Sequence, residues 1–268
     1  MKFVSLVLLG LVALATATNL GRHLTVADDD SKWVFPMGNF THYSQCDHKW
    51  GTHYMGNKTI CEVGCFMSSV SSAVHDHGIK FQVKPFGEMP VTSNPGTLNQ
   101  WLRENNGYEV NLFKSDEVYK LCLHFPERPC LAEYAVLHDT NALTPEIVHD
   151  LLSNYVTLLA NVHDGQHFVR IVGYHKDFPD AVYAMDPGFH RVIYSLKHDI
   201  VGWRVFAFES SYSPAERPGG ADMKATVEQL LGDNFKEWAR PAPEPAPEPA
   251  APDATTVDVI ALAASVGL

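Results

Sequence analysis

An α+β fold, with a helical N-terminal half packed on an antiparallel sheet, is predicted by two features of this chain. Segments with apolar residues at helical spacing come first, over 64–78, 95–105 and from 144 onward. Five strand-like runs follow, "VTLLANV", "HFVRIVGY", "AVYAMD", "RVIYSL" and "GWRVFAFE", bounded by Gly, Pro and Asp. Helices grouped ahead of strands, rather than alternating with them, are the pattern of an α+β domain.

Taken in order, residues 1–17 have the form of a signal peptide. One lysine precedes an apolar stretch, and Ala15-Thr16-Ala17 supplies the small-residue cleavage pattern. The stretch is shorter than the roughly 20 residues a membrane span needs. Nothing comparable lies in the rest of the chain, so a secreted or endolysosomal protein without a membrane span is expected. Residues 18–38, with the acidic run Asp28-Asp29-Asp30, read as a flexible arm or short prosegment. A single domain is expected over 39–212, since roughly 200 residues suffice for one proper core. The sequons at Asn39 and Asn57 are expected at the surface as glycosylation sites.

The first helix carries Phe66, Val70, Ala73, Val74 and His77 on one face and stops at Gly78. Its serines are poor helix formers, so burial must hold it, with small side chains letting neighbours come close. The second begins at Pro95 and ends before Asn106-Gly107. The third has Thr144 as N-cap and Pro145 at its first position. A C-terminal helix within 213–240 places Met223, Val227, Leu230, Leu231, Phe235 and Trp238 on one face and is expected to dock on the domain. Residues 241–268 open with "PAPEPAPEPAAPD", an extended spacer, and close with a short apolar tail. A frayed tail is favoured there over a lipid-anchor signal.

The net charge is -11, and no basic stretch alternates with aromatic residues. Nucleic-acid binding is therefore set aside. Five cysteines leave one unpaired in an oxidising compartment. Cys122 and Cys130 bracket a Pro-containing loop that a disulfide closes. Cys46 with Cys61 forms a second bridge, which leaves Cys65 over; the sequence alone leaves other pairings open. A zinc clip of Cys61 and Cys65 is disfavoured, because Cys61 precedes the helix and no second pair has ligand spacing. No metal or other cofactor is expected.

If the strands flanking "KDFPD" form a hairpin centred near Asp177 and Phe178, Val169 lies opposite Asp186 and His167 opposite Gly188. His167 and Asp186 are then diagonal neighbours, roughly 7–8 Å apart at the backbone and within side-chain hydrogen-bonding reach. A carboxylate so placed fixes an imidazole's tautomer and stabilises its protonated form. The plainer reading makes Asp186 the first residue of an Asp-Pro-Gly turn and His167 a strand-end histidine. Cys65, entering a helix behind Gly64, sits where unpaired N–H groups and the dipole favour a thiolate. Its plainer reading is a buried structural thiol.

Nucleophile, histidine and carboxylate in this order, with "YSQCDHKWG", "TICEVGCFMSSVSSAV", "PGTLNQWLRENNGY", "HFVRIVGY" and "YAMDPGFHRVIYSLKHDIVGWRVF", resemble the peptidase family thirty-nine-like proteins. These are papain-like cysteine peptidases related to enzymes that remove double-glycine leaders from bacteriocins. The resemblance spans about residues 40–210 and implies a papain-like fold with a Cys65-His167-Asp186 triad. It places the oxyanion-holding glutamine at Gln45, with 58–63 as an insertion carrying Cys61. A peptide or protein substrate is implied. A transferase or amidase with the same triad is the nearest alternative, and a catalytically silent secreted binding module is the alternative of another class.

Overall fold

A computed structural model describes residues 30–87, 89–114, 121, 131–137, 143–208 and 223–232. In chain order the elements are β1 (Trp33–Val34), α1 (Ile60–Val63), α2 (Cys65–Asp76), β2 (Lys80–Phe81), β3 (Val91–Thr92), α3 (Pro95–Glu104), β4 (Tyr108–Glu109) and β5 (Leu112–Phe113). They continue as β6 (Leu131–Leu137), α4 (Pro145–Ser153), β7 (Thr157–Val162), β8 (His167–His175), β9 (Ala181–Met185), β10 (Ile193–Ser195), β11 (Gly202–Phe208) and α5 (Met223–Leu231). The class is α+β. Its main sheet runs β10-β9-β8-β7-β11-β6 with every neighbouring pair antiparallel.

Both faces of this sheet are covered. Leu158 and Ala160 of β7 join Val148 and Leu151 of α4 in one core, which also takes Val227 and Leu231 of α5. Leu159, the residue between them, faces the other way and packs with Val70 and Val74 of α2 and with Leu98 and Trp101 of α3. That alternation is the strand period of two. Cover on both faces explains why the β7 run is nearly continuously apolar.

The local signals act as their chemistry requires. Thr144 accepts the Ile147 N–H at the start of α4, and Asn94 and Thr97 form a reciprocal capping box on α3. Helix α2 is buried along Met67–Val74, serines included. Ser71 hydrogen-bonds Ser93 at 2.9 Å, and the Ser72 hydroxyl donates to the Thr41 carbonyl. Small hydroxyls thus let α2 sit close to its neighbours while finding partners for their own polar atoms.

The domain begins earlier than residue 39. Trp33 and Val34 pair with His175 and Tyr174 at the far end of β8, and Trp33 is buried. The one-turn helix α1, the strands β2 to β5 and strand β6 were not evident from the pattern, most being two to four residues long. Asn39 and Asn57 are exposed. The signal segment, residues 18–29, Cys122, Cys130, positions 233–240 of the expected C-terminal helix, and 241–268 lie outside the described residues. No described helix is long and apolar enough to cross a membrane.

Arg170 of β8 is 1 % exposed and forms an ion pair with Asp76 at the end of α2. Its guanidinium also donates to Ser72 Oγ at 3.0 Å, and Asp76 accepts the Thr41 N–H at 3.0 Å. Removing one partner strands the other charge without water. Arg170→Met alone is therefore expected to lower unfolding free energy by about 3–5 kcal/mol. The double variant Arg170→Met, Asp76→Leu is expected to recover most of that loss in urea unfolding. Equal losses in the single and double variants would show that the pair does not clamp α2 to the sheet.

Candidate active site

Three segments converge at one end of the sheet. Cys65 is the first residue of α2, His167 the first of β8, and Asp186 follows β9 directly. In β8 and β9, Arg170 pairs with Met185. Continuing that register puts Val169 beside Asp186 and His167 beside Gly188, as the hairpin argument expects. Beyond Ile171 a bulge shifts the register by one, so that Gly173 faces Tyr183. The shift falls away from the site and leaves the His167 end aligned.

His167 Nε2 lies 2.6 Å from Asp186 Oδ1, and both residues are buried. Cys65 lies close enough to the imidazole to raise its pKa, and with Nε2 taken by Asp186 the ring nitrogen left for sulfur is Nδ1. Burial drives the imidazole pKa down, but hydrogen bonds and charge from Asp186 and Cys65 outweigh it and carry the value up to about 9. Burial likewise pushes the Asp186 carboxyl up. Hydrogen bonds from His167, Tyr194 and Gly188 reverse that and hold it below the usual carboxylate range.

Asp186 both closes a turn and contacts the histidine. Its Oδ1 accepts the backbone N–H groups of Gly188 at 2.8 Å and Phe189 at 3.0 Å, closing the Asp-Pro-Gly turn. The same oxygen receives His167, while Oδ2 accepts the buried Tyr194 hydroxyl. Burial, then Asp186, raise the phenol's pKa and keep it a donor. His42 Nε2 donates to the Asp186 carbonyl at 2.6 Å. Neither Tyr194 nor His42 was marked by sequence, although Tyr194 lies in the quoted "DPGFHRVIY" run.

Cys65 is a free thiol, while Cys46 and Cys61 form a disulfide with their Cα atoms 4.3 Å apart. Cys61 is thereby committed and cannot share a metal with Cys65. Among the described residues no three His, Cys, Asp or Glu side chains gather as metal ligands. Gly64 between α1 and α2 supplies no side-chain cap, so no side chain competes for the N–H groups that open α2. A Cβ at Gly64 would stand 2.4 Å from the Ile60 carbonyl oxygen. Only glycine permits the two helices to abut there.

Gln45 is placed by three constraints. Its N–H donates to the Pro187 carbonyl at 2.8 Å, its Nε2 donates to the Cys61 carbonyl at 2.7 Å, and its neighbour Cys46 is bonded to Cys61. An amide NH2 carries two protons, so one remains beyond the bond to Cys61. Gln45, Cys65, His167 and Gly188 line a common cleft of about 740 Å³. One wall is apolar, with Phe66 packed on Phe113 and Phe168 at ring separations of 5.2 and 4.8 Å.

Gly188 is a residue sequence reasoning placed opposite His167 without giving it a role. A Cβ there would lie 2.9 Å from His167 Cε1 and 3.3 Å from Gln45 Oε1. Gly188→Ala is expected to push the imidazole off Asp186, at a cost of about 1–3 kcal/mol in stability. The His167 titration, followed by NMR of its ring protons, should move down from about 9 toward an ordinary histidine. An unchanged titration midpoint would mean the ring has room to spare.

No protein-family model, curated protein or solved structure matches this chain.

Proposed function

We propose that this protein is a secreted cysteine peptidase of papain-like architecture, hydrolysing peptide bonds through Cys65, His167 and Asp186. The observation that carries the reading is a free thiol at a helix start, beside a histidine that a buried carboxylate holds, at the foot of a cleft. The order of these residues and the quoted resemblance support it. The signal-like residues 1–17 and the disulfide fit export to an oxidising compartment.

The chemistry follows from the geometry. The thiolate of Cys65 attacks the scissile carbonyl carbon, and the carbonyl π electrons move onto oxygen. That oxyanion lies within the influence of the α2 N-terminus and the second amide proton of Gln45. Collapse of the intermediate breaks the C–N bond as His167 Nδ1–H gives its proton to the departing amine. A thioester on Cys65 remains. Water then gives a proton to Nδ1 while its oxygen adds to the thioester carbonyl, and C–S cleavage releases the acid and restores the thiolate–imidazolium pair. Asp186 holds Nε2–H throughout, so Nδ1 keeps its aim.

A histidine raised to about 9 carries the proton needed for amine departure below that pH and loses it above. Hydrolysis of a casein peptide digest, read as kcat/KM, is therefore expected to fall as pH rises through about 9. Asp186→Asn removes the partner that raises His167, so this limb should move to lower pH, with turnover reduced by about a hundredfold or more. Gln45→Ala is expected to lower turnover by about a hundredfold while leaving folding intact. Cys65→Ala should abolish hydrolysis. Undiminished hydrolysis by Cys65→Ala, or none by the wild-type chain after removal of residues 1–17 or of 1–29, both of which keep β1, would end the peptidase reading.

A further inference from the structure

The short turn between β7 and β8 holds three consecutive residues in the left-handed region, His163 at φ 51, Asp164 at φ 54 and Gly165 at φ 89. The first two are not glycine, and such backbone is sustained only where surrounding contacts fix it. Here the turn lays the exposed His163 ring parallel to His167, with centroids 5.4 Å apart and 19° between planes. Phe189, held by its N–H bond to Asp186, meets His167 edge-on at 5.0 Å and His163 at 5.0 Å. Phe189 is nonetheless 54 % exposed, and both rings line the cleft. An aromatic pair with open faces beside the proton donor has no role in the mechanism above.

Resting on the peptidase reading, we infer that His163 and Phe189 form the subsite for the residue that follows the scissile bond, and that this subsite selects an aromatic side chain. The departing amine nitrogen must come within hydrogen-bond reach of His167 Nδ1 to receive its proton. The residue bearing that nitrogen therefore lies on the His167 side of the cleft, where His163, Phe189, Gly165 and Gln166 stand. The acyl portion stays on Cys65, beside the wall built from Phe66 and Phe113. An aromatic ring laid against the exposed surface of this T-shaped pair gains edge and stacking contacts, whereas a small or acidic side chain leaves that surface in water.

The test is digestion of a proteome-derived peptide library by the full-length secreted chain, with cleavage sites mapped by mass spectrometry. Phe, Tyr and Trp are expected about tenfold above Ala at the position after the cut. His163→Ala and Phe189→Ala should each reduce that enrichment several-fold without altering preferences before the cut, and His163→Phe should retain it. Because relative enrichment is read, a uniform loss of turnover does not mimic the effect. If Phe189→Ala does not fold, Phe189→Leu keeps the apolar volume and should still weaken the preference for rings. Cleavage with no aromatic enrichment, or enrichment unchanged in all variants, overturns the subsite while leaving the peptidase reading intact. No cleavage by the wild-type chain overturns both.

Discussion

The seating of α2 against β8 is the constraint on which the site depends. A thiol at a helix start and a histidine at a strand start meet only if helix and strand lie close and in fixed register. The serines of α2 make the approach possible, and the Arg170–Asp76 pair fixes it along the helix axis. Asp76 and Ser72 both hold Thr41, so the same clamp anchors the segment that leads to His42 and Gln45. One buried charge pair thereby ties the C-terminal end of α2 to the strand that begins with His167. A well-packed apolar substitute would be no less stable in principle, so the pair is better viewed as specifying position than as supplying net stability.

At the other end of α2, Asp186 organises the loops. It accepts from a side chain of β8, from two backbone N–H groups of its own turn and from Tyr194, and its carbonyl takes His42. The bonds from His167, Tyr194 and Gly188 stabilise the ionised carboxylate, and together they overcome the cost of burying it. Arg191 lies over the Tyr194 ring at 4.2 Å and pairs with Asp199, so the support extends into β10 and the following turn. The disulfide performs a parallel task for Gln45. By closing the loop from Cys46 to Cys61 it limits where the glutamine and the Cys61 carbonyl can be, and their hydrogen bond sets the amide.

What the sequence made legible was local or periodic. Cys65 at a helix start followed from Gly64 and the apolar stripe behind it, and the nearness of His167 and Asp186 followed from a short hairpin loop and the strand period. Thr144 and Pro145 announced α4 without ambiguity. Other features depend on contacts between distant segments. His42 reaches Asp186 across 144 positions, and Trp33 pairs with a strand end 142 positions away, the difference of 175 and 33. No periodicity within a two-residue strand could mark it. At the bulge beyond Ile171, Gly173 packs against Phe35, where a Cβ would come within 2.6 Å of the ring. Gly188 looked like an ordinary turn glycine, and its significance lies in what stands 3 Å above it.

The central claim is that Cys65 is a reactive thiol held by His167, as opposed to a structural cysteine. The most direct measurement is the rate of alkylation of the native, unreduced protein by iodoacetamide, with the modified residue located by peptide mapping and the rate compared with that of His167→Ala. The account predicts that among Cys46, Cys61 and Cys65 only Cys65 is labelled, and that its rate collapses when the imidazole is removed. Labelling of Cys65 only after denaturation, or at the same rate with and without His167, would contradict it.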